Sequence, residues 1–532
     1  MLASSARSRG GWPTVPAAAA AAAEAGGSET GMRSGRDDCT KIPILEQSPP
    51  THSMCNVPDP ASASAIRQIT PATETSCALF CRVVDNFGDA GVCWRLARQL
   101  RREYGWRVRL YIDLPEVLRA FLPDAPAFAE GHGREALAQR ESEASDTGMH
   151  GPAAALPRNP CEASALPTLA TIDGVAILCW PGLGIDGAPR PDGVVWPDGA
   201  DPGDIVIEAF ACELPDAVLT AMAARATPPV WLNLEYLSAE DWVTDCHLMP
   251  SRHPRHGLEK TFFFPGLQPG TGGVLRERDL DADRRNFLDD PEAQTTFWRT
   301  LGLDRPATDQ FVITLFAYEN PTLDGLLHAW SNPWWHAKDT PGSAWHGITV
   351  LVPHGRITSQ AAAFFQRDTL RIGETLQRGA LTVRAIPFLS QPDYDRLLWL
   401  ANLNFVRGED SFVRAQWARR PFVWHIYPQE GAAHVPKLDA ALTAYCTGAA
   451  LSAGAAAAMR AIWYRWNRLG GLADAPSLTQ AMDLDWLQTW RDYVGQWSML
   501  RHGGVRWAEH LQAPGDLAGN LVRFYAGKRG MH

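Results

Sequence analysis

No Cys-x-x-Cys and no His-Glu-x-x-His occurs in the 532 residues, and there is no Asp-x-Asp of the kind that holds a sugar-diphosphate metal ion. Zinc and divalent-metal sites built on those spacings are therefore not expected. The 15 histidines are dispersed, and His253 and His256 sit in a Pro- and Arg-bearing loop without acidic neighbours in sequence. A Gly-x-Ser-x-Gly elbow and a Walker A loop are also missing, which removes the serine-hydrolase and P-loop readings. No run of about 18 apolar residues occurs, so nothing is expected to span a membrane. The alanine run Ala17–Ala23 lacks the leucine-rich core of a signal peptide. Excess positive charge is absent too: 49 Lys and Arg against 59 Asp and Glu leave a net −10. That balance argues against a nucleic-acid partner. The ten cysteines are scattered and read as free, core-packed thiols, which suit a reducing cytoplasm.

What is present is a long alternation of buried strands and amphipathic helices. Residues 1–76 are rich in Ala, Gly, Ser and Pro and offer no core, so they are expected to be disordered. The pattern then changes: a strand over Ala78–Val84, a turn over Asp85–Gly91, a helix from Val92 to about Tyr104 and a strand over Val108–Ile112. This reads as a βαβ unit with a right-handed crossover. A Pro-, Ala- and Glu-rich stretch at about 125–171 reads as a surface insertion. Strands follow at Val175–Trp180, Asp204–Ala209, Val230–Leu234 and Thr261–Phe264, and a charged hinge at about 273–306. A second alternation has strands at Phe311–Phe316, Ile348–Val352, Leu381–Ile386, Leu403–Val406 and Phe422–Ile426, with helices at Gln360–Ile372 and Gln391–Ala401 among them. After Val435 the pattern is helical. The fold class is α/β, two doubly wound sheets facing a cleft.

In such sheets ligands gather beyond the carboxyl ends of the strands, and two loops lie there. The first, Asp85-Asn86-Phe87-Gly88-Asp89-Ala90-Gly91, lacks Gly-x-Gly-x-x-Gly and carries two carboxylates, an unsuitable lining for a dinucleotide pyrophosphate. Its acids are read equally well as helix caps or as catalytic groups. The second, Arg407-Gly408-Glu409-Asp410-Ser411-Phe412, opens a short helix. Its free N–H groups and serine hydroxyl suit a pyrophosphate without any lysine, or Asp410 or Ser411 is simply the N-cap. Phe316-Ala317-Tyr318-Glu319-Asn320 and Pro387-Phe388-Leu389-Ser390-Gln391 border the same edge. Their aromatics serve either to stack on a base or to fill the core.

Several of these segments resemble one family, the elongation factor P arginine rhamnosyltransferases. They are Phe80-Cys81-Arg82-Val83-Val84-Asp85-Asn86-Phe87-Gly88-Asp89, Ile207-Glu208-Ala209-Phe210, Asn233-Leu234-Glu235-Tyr236-Leu237, Phe316-Ala317-Tyr318-Glu319-Asn320-Pro321 and, longest, Asn404-Phe405-Val406-Arg407-Gly408-Glu409-Asp410-Ser411-Phe412-Val413-Arg414-Ala415-Gln416-Trp417. They occur in order between roughly residues 77 and 530. The N-terminal 76 residues, the insertion at about 125–171 and a stretch near His336–Trp345 have no family counterpart, and Ala432-Ala433 stands where the family is more polar.

The resemblance implies a GT-B fold: two Rossmann-like domains facing a cleft, with C-terminal helices. Residues 77–305 would be the acceptor-binding domain, completed by a helix at about 505–532, and 306–504 the nucleotide-sugar-binding domain. It implies inverting transfer from dTDP-β-L-rhamnose to one arginine of translation elongation factor P, in the cytoplasm, without metal or other cofactor. Asp89 would be the base, Asp85 would orient the arginine or the loop, and Glu409 would be a third essential acid. Donor contacts would come from Asn86, Phe87, Gly88, Phe316, Tyr318, Phe388, Gln391, Arg407, Gly408, Asp410, Ser411 and Phe412. Two alternatives are another GT-B nucleotide-sugar enzyme with a different acceptor and a non-catalytic binding module for elongation factor P.

Overall fold

Every residue of strand β1 (Ser76–Cys81) is buried, and its side chains alternate between two apolar layers. Cys77, Leu79 and Cys81 enter one layer, and Ala78 and Phe80 the other. Burial on both faces is the condition under which parallel sheets form. In the computed structural model, which describes residues 74–84, 87–122, 168–180, 200–332, 345–429, 432–469 and 485–530, β1 lies between β2 (Arg107–Ile112) and β5 (Ile205–Ala209). Leu79 is paired with Leu110 on one side and Ile207 on the other, both in parallel register. β4 (Val175–Cys179) continues the sheet beyond β2, and β6 (Val230–Leu234) and β8 (Glu259–Phe263) continue it beyond β5. Two antiparallel edge strands, β3 (Thr168–Ile172) and β7 (Pro250–Arg252), close it at eight strands.

The second sheet repeats the plan with β9 (Gln310–Leu315), β10 (Gly347–Pro353), β11 (Thr375–Arg378), β12 (Leu381–Ile386), β13 (Leu403–Arg407) and β14 (Phe422–His425), in the order β11-β12-β10-β9-β13-β14. In the first sheet the chain builds outward from β1 through β2, then returns to add β5 on its other flank. In the second it does the same around β9, adding β13 last beside it. These reversals are the topological switch points where ligands bind in open α/β sheets. This is the GT-B architecture that the resemblance implied.

The final helices tie the lobes together. Helix Trp497–His510 packs on the second lobe: the Trp507 indole donates to the Gln416 side chain, and Gly504 faces the backbone of Arg419 and Arg420. Helix Leu517–Arg529 crosses back to the first lobe. There Asp516 accepts from Gln99 at 3.1 Å, Tyr525 meets Trp106 edge-on at 5.3 Å, and Arg529 donates to the Asp204 carbonyl at 2.9 Å.

Several expectations need correction. The first helix runs Phe87–Tyr104, so Phe87 to Gly91 form its first turn rather than a loop, and β1 ends at Cys81 rather than Val84. Helix Arg356–Phe364 replaces the one expected over Gln360–Ile372; past it Gln366 has φ +59°, and β11 follows. The segment at 273–306 is no bare hinge but holds helices Leu280–Leu288 and Pro291–Thr300. β3 lies inside the stretch read as insertion, most of which, like residues 1–73, is outside the described residues. Six of the cysteines, Cys77, Cys81, Cys93, Cys212, Cys246 and Cys446, are free, whereas Cys179 is disulfide-bonded.

Candidate active site

At the second switch point the residues that follow β9 and β13 enclose a cavity of about 580 Å³, part of it open to solvent. Phe316 and Tyr318 come from the end of β9, and the Arg407 guanidinium lies over both rings, 4.6 and 4.8 Å from their centroids. Phe388 meets Phe316 edge-on at 6.0 Å and leans on Phe87 of the other lobe at 4.8 Å. Gly408 has φ +59°, a conformation that favours glycine, and its carbonyl accepts from the Trp424 indole at 2.8 Å. The Ser411 hydroxyl folds back on Arg407, accepting from its N–H at 3.0 Å and donating to its carbonyl. These two bonds and the left-handed Gly408 set the path of the Arg407–Ser411 turn. Beneath Tyr318, His425 is buried; burial and the Arg407 charge push its imidazole down to about 3, which keeps it neutral.

At the first switch point Asp89 is 1% exposed. Its Oδ2 accepts from the Val84 N–H at 2.8 Å and its Oδ1 from the Tyr236 hydroxyl at 3.1 Å. Tyr236 lies flat against Phe210, ring centroids 4.2 Å apart and planes 11° apart. Burial, together with the Asp89 and Glu409 carboxylates, pushes the Tyr236 hydroxyl far above its ordinary pKa, so it stays a proton donor in its hydrogen bond. The next residue reaches across the cleft: the Leu237 N–H donates to Glu409 Oε1 at 3.0 Å.

A buried ionic cluster joins the two turns. Arg95, on the helix that carries Asp89, donates to Asp410 at 2.8 Å and lies 3.3 Å from Asp395 and 3.4 Å from Glu277. Arg414 grips Asp395 with two bonds of 2.8 and 2.7 Å and Glu277 with one of 2.6 Å. Burial opposes ionisation of Glu277, yet Arg414 and Arg95 hold its carboxyl down at about 2. Asp410 shifts upward because its burial outweighs the help of Arg95 and Arg414. Gly91 belongs to this contact: a Cβ there would come within 3.1 Å of the Asp410 side chain, so a residue without one lets the helices touch.

Of the residues expected at the donor site, Phe87, Gly88, Phe316, Tyr318, Phe388, Gln391, Arg407, Gly408, Asp410 and Ser411 line the cavity. Phe412 does not. Its ring turns inward and stacks on Trp424 at 3.9 Å, leaving only its backbone facing the helix start. The reading of Asp410 or Ser411 as N-cap is corrected as well. The cap position is Glu409, Asp410 is bound to Arg95, and Ser411 to Arg407. Asp85 and Asn86 lie outside the described residues. Sequence reasoning missed Phe121, Pro353 and Tyr394 in the wall, and gave no role to Leu389 inside a segment placed at that edge. Pro353 ends β10, and its place at a strand's carboxyl end was the available signal; Phe121 follows a 3₁₀ turn and gave none. Tyr236 stood inside a recognised segment without a role.

Among the described residues no group of three or more His, Cys, Asp and Glu is placed to hold a metal ion. Asp-x-Asp spacing does occur at Asp279-Leu280-Asp281, but Asp281 is engaged by Arg284 and Arg419 at 3.3 Å each. His256, isolated in sequence, meets Asp216 at 2.9 Å. No helix among the described residues is long and apolar enough to cross a membrane.

Compared with known proteins, residues 77–147 and 167–526 match the family described as elongation-factor P (EF-P) rhamnosyltransferase EarP. A protein-arginine rhamnosyltransferase of Pseudomonas aeruginosa is 40% identical over 448 residues, 84% of this chain and 98% of the relative. One from Neisseria meningitidis is 35% identical over 374 residues, 68% of this chain and 77% of the relative. A solved structure described as the structural basis for EarP-mediated arginine glycosylation of translation elongation factor EF-P aligns with a TM-score of 0.51 at 29% identity, covering 85% of this chain and 99% of that one.

Proposed function

This chain belongs to the elongation factor P rhamnosyltransferase family, and on that premise we propose how its two switch points divide the reaction. It is a glycosyltransferase that moves rhamnose to an arginine of elongation factor P. The donor is dTDP-β-L-rhamnose, seated in the cavity of the second lobe. The arginine enters from the first lobe, beside Asp89.

An arginine guanidinium, with a pKa of about 12.5 or more, has almost no nucleophilic lone pair at neutral pH. A buried carboxylate offsets this by binding the cation and taking a proton as the new bond forms. One guanidinium nitrogen attacks the anomeric carbon opposite the diphosphate, and the N–C bond forms. The anomeric C–O bond breaks, its electron pair leaves with dTDP, and a proton from the attacking nitrogen passes to Asp89. Inversion from β to α follows. Asp85 orients the arginine or the loop, and Glu409, held by the Leu237 N–H, is the third acid.

The leaving diphosphate meets the free N–H groups that open helix Asp410–Trp417, whose dipole favours an anion there. Arg407 supplies the full positive charge on that wall. Asp410 would repel a diphosphate, but Arg95 at 2.8 Å offsets its charge. Phe316, Tyr318, Phe388 and Gln391 form the thymine and sugar pocket, with Phe87 and Gly88 closing it from the first lobe. No metal is required in this scheme.

The observation that carries this reading is the shared wall. Phe87 and Gly88, immediately before Asp89, line the same cavity as Gly408, immediately before Glu409. Incubation with dTDP-rhamnose and elongation factor P, followed by mass spectrometry, tests it. One deoxyhexose on one arginine is expected; an unmodified acceptor, or equal use of another nucleotide sugar, would refute it.

A further inference from the structure

The loop after β5 holds three non-glycine residues with positive φ within four positions: Phe210 at +56°, Ala211 at +50° and Glu213 at +59°. Such conformations are strained and persist only where the surroundings impose them. Here the surroundings are specific. The Ala211 N–H donates to Asn233 at 3.1 Å, and the Glu213 N–H donates to Glu208 at 3.0 Å. Glu208 is itself held by the Trp231 indole at 3.1 Å and Lys260 at 3.3 Å. The result of this construction is the position of one ring: Phe210 is pressed flat on Tyr236, and Lys437 lies 5.4 Å from the Tyr236 centroid. Between them these neighbours fix where the Tyr236 hydroxyl points, and it points at Asp89.

From this we propose that Tyr236 is a further positioning residue of the transfer reaction, aiming the Asp89 carboxylate at the arginine nitrogen through its phenol hydrogen bond. The proposal rests on the assignment of Asp89 as base. Tyr236 touches neither the anomeric carbon nor the diphosphate in this scheme; it acts through Asp89. The hydrogen bond from the adjoining Leu237 N–H to Glu409 places the same dipeptide against the donor turn. Aim on the first lobe is thereby set in register with the second. Without the phenol, Asp89 loses the donor on Oδ1 and keeps the Val84 N–H on Oδ2, so the oxygen nearer the phenol is no longer aimed, and misplacement of a reacting group is costly in rate.

The test is Tyr236→Phe, which keeps the ring stacked on Phe210 and removes only the hydroxyl. Loss of a hydrogen bond to a charged group predicts a fall in kcat of about ten- to a hundredfold. KM for dTDP-rhamnose and dTDP binding by calorimetry should be unchanged, and the melting temperature should fall by only a few degrees. In the Tyr236→Phe/Asp89→Asn double variant the residual rate should equal that of Asp89→Asn alone, since nothing remains to aim. A Tyr236→Phe enzyme with wild-type kcat beside an inactive Asp89→Asn would overturn this proposal and leave the base assignment standing. So would a further loss in the double variant, or a rise in donor KM that accounts for the defect. An active Asp89→Asn enzyme would overturn the base assignment itself, and this proposal with it.

Discussion

After β1 the chain turns into helix Phe87–Tyr104, and after β13 it turns into helix Asp410–Trp417. The first strand is the one its sheet is built out from and the second is the strand added on the far flank of β9, so the two turns lie on opposite sides of the shared plan, and their side chains work in opposite directions. Around the first, a buried carboxylate is held by groups that donate to it, the Val84 N–H and the Tyr236 hydroxyl. In the second, a left-handed glycine and a serine hydroxyl shape the backbone, and an arginine lies on two aromatic rings. In the proposed reaction one turn accommodates a cation that must lose a proton, and the other an anion that must leave. The same α/β connection serves both because the sheet supplies only the place, and the residues of the turn set the sign of the charge received.

That contrast is broken most decisively at Asp89. Asp89→Asn keeps an acceptor oxygen and the residue's size, so folding and dTDP binding should survive while kcat falls about 10²- to 10⁴-fold. Steady-state kinetics beside a thermal melt would show it, and near-normal turnover would make the first turn structural. Next comes the link between the turns. Arg95→Leu leaves Asp410 without its 2.8 Å partner, with Arg414 still on Asp395 and Glu277 and Arg98 3.8 Å from Glu277, and breaking a buried pair in this way costs about 3–5 kcal/mol. Urea unfolding should show a loss of that order; a loss under about 1 kcal/mol would mean the cluster is solvated and the turns are coupled by packing alone.

A smaller effect is expected within the second turn. Gly408→Ala forces a Cβ into the left-handed region, worth roughly 1–2 kcal/mol, and should raise KM for dTDP-rhamnose several-fold with little change in kcat under saturating donor. An unchanged KM would separate the turn's geometry from donor binding. The smallest effect is none: excess EDTA should leave the transfer rate as it was. Loss of activity restored by magnesium or manganese would show that the helix start and Arg407 do not suffice for the diphosphate.

Much of this was legible in the sequence, for a physical reason. β1 and β10 are nearly continuous apolar segments of strand length, buried at every position, because parallel strands are covered on both faces. Residues just after such strands were placed correctly on the cavity wall, as Phe316, Phe388 and Arg407 demonstrate. The edge strands were not legible. Pro250-Ser251-Arg252 is exposed at every position, so no burial pattern marks it. The direction of the Phe412 ring was not legible either: a place at a helix start offers the backbone N–H, and packing against Trp424 decides where the ring goes. Arg95 gave no signal, since its partners lie 182, 300 and 315 residues away along the chain.

Those separations bear on how the protein can be taken apart or recombined. The Arg95 side chain, completely shielded from water, draws its counter-charges from residues 277, 395 and 410. A fragment ending before the second sheet would expose that guanidinium beside an apolar surface with only Glu277 to answer it. The lobes are therefore poor modules: a chimaera that grafts the donor half of one family member onto the acceptor half of another must transplant a matching set of buried charges, whatever its choice of loops.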